Sequence, residues 1–552
     1  MARSKAKVYC CCALILLSVI AVIVCIAVFV SRRCPHDTFS KAAVAADSGV
    51  CSRIGLDIIK SGGSAVDGAI AALLCTSVMN PQSMGIGGGS IFTVMDSSGK
   101  VKVINSRETV PRSFKPDLLR SCNSNFLQMT GSDWIGIPGE IRGYEEAHRL
   151  YGKLPWAKLF KPTIKLAREG FPIPEIQGRY IPFIDTKETQ TLRKLYSDKD
   201  GNLLKTGDTV KFEKLADTLE TIAKDGADAF YSGRIAEDLI RDVQEAGGSL
   251  TLQDLAEYKV TVSDAWVVPL GEYQMHIPPP PAGGILLSLI LNIMKGYQLN
   301  SASLKGDQKK AAYHRYIEAL RFANGLKTHI RDPKFMSPEI AKKFTEDSFA
   351  DYVRGKISSD RTHDPQYYNI TPYVDGLGTT HVSVLTGDGS AVSVTSTINH
   401  IFGSKIFSPN TGVILNNELA DFCRRGDRIS AGEQPPSSMA PTVLKSQSKT
   451  LVIGASGGGR ITTGMASALM NHLWFGKSLK EAIAAPVLYV HADNKVEFEA
   501  DFDQDVIQGL KALGHEDKPA GKFYSVVNAV EMDGSCISAV SDARKKGEAA
   551  GH

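Results

Sequence analysis

Residues 375–384 read DGLGTTHVSV, a turn that runs into a β-strand and opens it with two threonines, Thr379 and Thr380, directly after Gly378. The pattern continues through HVSVLTGDGSAVSVTSTIN (381–399), two alternating β-branched runs around Thr386-Gly387-Asp388-Gly389, which predicts a hairpin. A threonine hydroxyl is a weak nucleophile unless a base lies beside it, and one chemical solution is the residue's own α-amine. Such an amine has a pKa of about 8, close to working pH. Thr379 is internal, so it acquires an amine only if the chain is cut between Gly378 and Thr379. On β-propensity alone, the plainer reading of Thr379 as an ordinary strand-opening residue prevails.

Outward from this hairpin, LVIGASGGGRITTGMASALMNHLWF reads as strand, glycine turn, helix. Its ASGGGR (455–460) sets three glycines at a helix start. There the backbone N–H groups can cradle a phosphate, meet an oxyanion or simply make a turn. The lysine and full spacing of a P-loop are missing. SMGIGGGS (83–90) has a helix before it and a strand after it, the reverse of the dinucleotide-binding order. PQSMGIGGGSIFTVMD and KVKVINSRETVP predict a second hairpin, and VEMDGSCISAVSD a third, turning at Asp533-Gly534. Ala42 to Val78 reads as helical with an interruption at Gly62-Gly63. Residues 138–342 are rich in amphipathic helix signals, and HIPPPPAGG leads into the apolar helix ILLSLILNIMKGY. A helix-rich first two-thirds thus meets a strand-rich last third near Thr379, which predicts an α/β protein with sheets sandwiched between helices.

The 552 residues carry a net charge of +4, but five basic residues (Arg3, Lys5, Lys7, Arg32 and Arg33) lie in the first 33 positions, and the body is close to neutral. Nothing in that balance calls for nucleic acid. The same charges flank residues 8–30, an uncharged run whose length as a helix, about 35 Å, exceeds a hydrocarbon core of about 30 Å. The run is too long for a signal-peptide h-region, and Arg32-Arg33 stands where a small-residue cleavage site would be. Residues 1–7 are therefore read as a cytoplasmic tail and 8–30 as a signal-anchor. The body then lies outside the cell, in a single-pass plasma-membrane arrangement. Cys10, Cys11 and Cys12 suit palmitoylation. Beyond the anchor six cysteines remain, Cys34, Cys51, Cys75, Cys122, Cys423 and Cys536, an even number that suits an oxidising compartment and allows 15 pairings. Asn369-Ile370-Thr371 is a glycosylation sequon.

The 12 histidines show no HExxH and no paired ligands at zinc spacing, so neither a metal nor a cofactor is called for. His381 shares a strand face with Thr379 and reads as a packing residue. No GxSxG elbow is present.

Taken together, AAVAAD, GGSAVDGAIAALLC, NPQSMGIGGG, VINSRETVPR, PGEIRGY, LPWAKLF, GTTHVSV, TSTIN, LNNELADF, PPSSMAPT, GASGGGRITT and SDARKKGEAAGH resemble, in order and over nearly the whole body, the γ-glutamyltransferases. These are N-terminal-nucleophile enzymes with an αββα sandwich that mature by self-cleavage. PPPPAGG, TSVMNPQSMG and NNELADF look most like the vertebrate branch associated with leukotriene C4 hydrolysis. The resemblance implies a large segment, 31–378, and a small one, 379–552, held non-covalently after a cut at Gly378–Thr379.

By the same resemblance Thr379 is the nucleophile, Thr397 orients it, and Gly457 and Gly458 supply the oxyanion donors. Arg107 matches the residue on the glutamyl α-carboxylate, Asn399, Glu418 and Asp421 the group around the α-ammonium, and Ser437 and Ser438 the pair beside the carboxylate. Cys51 and Cys75 match a family disulfide. The implied substrates are glutathione, its S-conjugates and leukotriene C4. A γ-glutamyl ester on Thr379 would pass to water or to an amino-acid or dipeptide acceptor.

Two departures stand out. Thr380 occupies a position that is alanine in some relatives, and Ala420 replaces an aspartate of the family's acidic pair. CRRGDRISAGEQPP is also short, so no lid loop is transferred. The rival readings are a processing-dead relative serving as a cell-surface scaffold, against which the matching positions are intact, and a nucleotide-binding α/β enzyme, which lacks a phosphate lysine.

Overall fold

The computed structural model describes residues 34–35, 37–122, 129–370, 378–424, 428–521 and 525–552. The anchor segment, 8–30, lies outside the described residues, and among these no helix is long and apolar enough to cross a membrane.

Two antiparallel sheets form the centre. The first runs edge to edge through Glu548–Gly551, Ala42–Ala46, Thr380–Thr386, Ala391–Thr397, Gly89–Met95, Val101–Asn105 and Thr261–Asp264. The second runs through Cys536–Val540, Val526–Asp533, Lys449–Ser456, Thr442–Lys445, Tyr273–Ile277 and Trp266–Leu270. Thr380–Thr386 packs face to face on Lys449–Ser456 and Val526–Asp533. Helices Gly49–Lys60 and Ala65–Met79 cover the outer face of the first sheet, and Gly284–Lys295 and Ile461–Leu473 that of the second. The result is four layers, helix, sheet, sheet and helix.

Each layer follows from its sequence. Every residue of Ala65–Met79 is buried, which suits its apolar, small-residue composition. Its start is fixed by a reciprocal cap: Ser64 Oγ accepts the Asp67 N–H, and Asp67 Oδ2 accepts the Ser64 N–H. The three predicted hairpins form, and the register of the first pairs Thr380 with Ser396. Thr379 and Thr397 are thereby brought to the same open end of the sheet.

Two expectations are corrected. Ala42–Ala46 is a strand, not the start of a helix, because its five small residues are buried and hydrogen-bonded on both sides by neighbouring strands. That pairing overrides the helix preference of alanine. The second correction concerns the join between the segments before and after residue 378, which is not purely non-covalent. Cys34 is bonded to Cys536 and Cys122 to Cys423, so two disulfides bridge those segments, while Cys51–Cys75 ties the two outer helices together. The sheets are shared in the same way: four strands of the first sheet precede Thr379 and three follow it.

Candidate active site

Thr379 lies just before its strand, with φ at +78°, a left-handed conformation that a β-branched residue adopts only under constraint. The constraints are visible. Its N–H donates to the Ser83 carbonyl at 3.1 Å, and its own carbonyl accepts from Lys545 Nζ at 2.6 Å. The Thr379 hydroxyl lies 3.1 Å from that of Thr397. Thr397 Oγ1 already accepts the Asn399 N–H at 2.8 Å, which leaves its own proton for Thr379.

The preceding residue is equally determined. A Cβ on Gly378 would stand 2.1 Å from the Asn399 carbonyl oxygen, so only glycine fits. The Gly378 carbonyl accepts the Gly457 N–H at 3.2 Å. Gly457 follows the strand Lys449–Ser456 of the opposite sheet, and its φ of +116° turns its N–H into the space between the sheets. Gly458, at +60°, continues the turn. The second threonine, Thr380, is occupied elsewhere: its hydroxyl donates to Asp47 Oδ2 at 2.5 Å.

A second cluster surrounds Arg107, whose side chain is fully enclosed. Its guanidinium donates to Glu418 Oε1 and Asp421 Oδ2, each at 2.7 Å, and to the carbonyls of Pro435 and Pro436 at 2.7 and 2.8 Å. Glu418 and Asp421 share the short 3-10 helix Glu418–Arg424. Pro435 and Pro436 lead directly into Ser437 and Ser438. The Ser437 hydroxyl accepts the Met439 N–H, and the backbone of Ser438 packs against Gly283. Asn399 links the two clusters, because its Nδ2 donates to the carbonyl of Asn417, the residue before Glu418.

The electrostatics follow from burial. Glu418 is pushed above the ordinary carboxylate range by desolvation, against the pull of Arg107. Its neighbour Glu108, fully buried, is raised by desolvation and by the charge of Glu418. Behind Thr397, Glu140 is raised to about 8 by desolvation, with the hydroxyls of Tyr144, Ser396 and Ser90 opposing. His381 is held neutral, its pKa lowered to about 3 by burial, with its ring nitrogens bonded to Thr395 and Ser383.

Among the described residues one group, His314, Glu318 and His515, has donors close enough for a metal. Those atoms are already engaged. Arg321 meets His515 Nδ1 at 2.9 Å, His515 Nε2 meets His314 Nδ1 at 2.7 Å, and His314 Nε2 meets the Ser358 carbonyl at 2.7 Å. An arginine on the outer nitrogen makes this a hydrogen-bonded relay and a poor cation site.

Asn369 is exposed and adopts the left-handed conformation after Pro365–Tyr368; Thr371 of its sequon lies outside the described residues. Four neighbours of these two clusters escaped the sequence reading: Lys545, Asp47, Ser83 and Glu108. Lys545 and Asp47 lie inside the quoted motifs SDARKKGEAAGH and AAVAAD, which was the available signal.

A family model for gamma-glutamyltranspeptidase matches residues 51–552. The chain belongs to the gamma-glutamyltranspeptidase family. It is 44% identical to glutathione hydrolase 5 proenzyme of Homo sapiens, over 96% of both chains, and 44% identical to that of Rattus norvegicus, over 94% of both. Among solved structures, cephalosporin acylase from Bacillus halodurans superposes with a TM-score of 0.84 at 24% identity, over 94% of this chain and 97% of the other, which shows a common fold. Helicobacter pylori gamma-glutamyltranspeptidase matches 58% of this chain and 92% of its own, with a TM-score of 0.53 and 27% identity. The four-layer sandwich is thus that of the gamma-glutamyltranspeptidases and their N-terminal-nucleophile neighbours, and the protein is an enzyme of the gamma-glutamyltranspeptidase, or glutathione hydrolase, class.

Proposed function

We propose that this gamma-glutamyltranspeptidase cuts its own Gly378–Thr379 bond and then uses Thr379 to open the γ-glutamyl bond of glutathione and its S-conjugates. The observation that carries this reading is the Gly457 N–H on the Gly378 carbonyl, beside a Thr379 hydroxyl that Thr397 orients. In the first reaction Thr379 Oγ1 adds to the Gly378 carbonyl carbon and the amide C–N bond breaks. This leaves an ester and a free Thr379 amine. Water then hydrolyses the ester, giving a Gly378 carboxylate and the mature N-terminus. Gly457, joined by Gly458, stabilises the oxyanion; one such donor is worth about 3–4 kcal/mol in related acyl transfers.

In turnover the amine takes the hydroxyl proton, Thr379 attacks the γ-carbonyl, and the protonated amine of the product departs. Water or an amino-acid acceptor resolves the ester. Arg107 would take the substrate carboxylate, and Glu418 and Asp421 its ammonium. Asn399, Ser437 and Ser438 flank that head group. The zwitterion would take over the two ion pairs that Arg107 makes with Glu418 and Asp421, its carboxylate on the guanidinium and its ammonium between the two acids. Leukotriene C4, a glutathione S-conjugate, is the proposed physiological donor on the strength of PPPPAGG, TSVMNPQSMG and NNELADF. A type II plasma-membrane anchor at 8–30, with the body and Asn369 outside, fits the flanking charges and the three disulfides.

N-terminal sequencing of the purified protein tests the first step: a fragment beginning Thr-Thr-His supports it, and a permanently intact chain refutes it. Release of glutamate from glutathione and from leukotriene C4 tests the second, with Thr379→Ala expected to be uncut and inactive.

A further inference from the structure

We infer that Lys545 and Asp47 form a positioning pair for the nucleophile, holding Thr379 in register with the glycine turn while keeping Thr380 out of the reaction. The inference rests on the proposed role of Thr379 and assigns work to two residues outside the donor-binding cluster.

Lys545 belongs to the 3-10 turn Ala543–Lys545 near the C-terminus, and Asp47 follows the strand Ala42–Ala46. They are 498 positions apart, yet Lys545 Nζ lies 2.6 Å from Asp47 Oδ2, and both side chains are almost wholly buried. Nζ has two further acceptors, the Thr379 carbonyl at 2.6 Å and Ser456 Oγ at 3.5 Å. Three acceptors match the three N–H bonds of an ammonium.

The identity of those acceptors gives the pair its purpose. Thr379 carries the proposed nucleophile, and Ser456 is the residue before Gly457, whose N–H meets the carbonyl to be attacked. One ammonium therefore touches both sides of the reacting geometry. Asp47 in turn is fixed from both ends, because Oδ2 takes the Thr380 hydroxyl and Oδ1 takes Asn528 Nδ2 at 2.8 Å. Asn528 also bonds the His381 carbonyl of the nucleophile strand. Of the two hydroxyls at the cut, one is tied to a carboxylate and the other faces Thr397.

Pinning both peptide groups around Thr379 explains how it is kept at a positive φ. Gly457 holds the carbonyl before it and Lys545 holds its own. With the lysine removed, the Thr379–Thr380 peptide can relax, and displacement of a nucleophile by about 1 Å costs on the order of 10²-fold in rate.

The test compares wild type, K545M and the paired variant D47N/K545M, which leaves no unpaired buried charge should the single change fail to fold. Thermal midpoints identify the folded variants. Cleavage is followed on reducing gels, and kcat and KM are measured with γ-glutamyl p-nitroanilide. The expected result is slow cleavage at Gly378–Thr379 and, in the matured fraction, kcat lower by on the order of 10²-fold with KM within about threefold. A folded paired variant that matures and turns over within threefold of wild type overturns the inference. So does a loss confined to KM. An uncut, inactive wild-type protein overturns instead the function on which the inference rests.

Discussion

The N–H of Gly457 points at the carbonyl of Gly378 from 3.2 Å, across the seam between two sheets that belong to opposite layers of the sandwich. A donor so aimed at a peptide carbonyl beside an oriented hydroxyl is the arrangement that acyl transfer needs. It also makes the surroundings of that bond sensitive to single atoms.

Gly378→Ala is the sharpest test of that sensitivity. The added Cβ would sit 2.1 Å from the Asn399 oxygen, and backbone atoms cannot swing aside as a side chain can. The carbonyl should leave Gly457, and cleavage should be slowed by on the order of 10²-fold or more. A time course of fragment appearance on reducing gels measures it.

Arg107→Gln should preserve cleavage at 378–379 far better than it preserves turnover. It removes one partner from two buried ion pairs, a change that typically costs about 2–5 kcal/mol. The measurable outcome is kcat/KM for glutathione falling by on the order of 10² to 10³-fold, with KM rising.

The pH profile of kcat/KM should fall on its acid side at a pH above that of an ordinary carboxylate. Burial raises Glu418, so as pH drops it takes up a proton early, and the ammonium of the substrate loses its partner. In Glu418→Gln the part of that limb set by Glu418 should disappear from a much reduced profile, leaving the limb set by the Thr379 α-amine.

Glu140 makes a prediction about stability alone. Its folded pKa of about 8 exceeds the ordinary 4.5, so the folded state binds the proton more tightly than the unfolded chain. Its favourable contribution is complete below pH 4.5 and is lost as pH rises towards 8. Glu140→Gln should therefore gain thermal stability relative to wild type between pH 5 and pH 9, by several kcal/mol at the upper end. Paired melting curves at the two pH values decide it.

Much of this was legible in the chain. Alternation and turn chemistry mark the hairpin behind Thr379, and GASGGGR marks the turn that meets it, because both are local patterns. Ala42–Ala46 was misread, since its alanines become a strand only through neighbours contributed by residues 383–386 and 548–551. The Lys545–Asp47 pair and the bonds Cys34–Cys536 and Cys122–Cys423 join positions hundreds of residues apart, where no periodicity can report them. The two acids of NNELADF carry no local sign of their partner, because Arg107 lies 311 and 314 positions away from them in the chain.

Were the chain cut after residue 378, the two bridges that span it would also set the molecularity of the product. A nicked protein of two free chains unfolds into separate molecules, so its melting point drifts with dilution and its refolding is a bimolecular encounter. With Cys34–Cys536 and Cys122–Cys423 in place, a cut at Gly378–Thr379 changes the number of chain ends but not the number of molecules. Refolding stays a first-order event at any concentration. A protein cut there could therefore not lose half of itself on dilution.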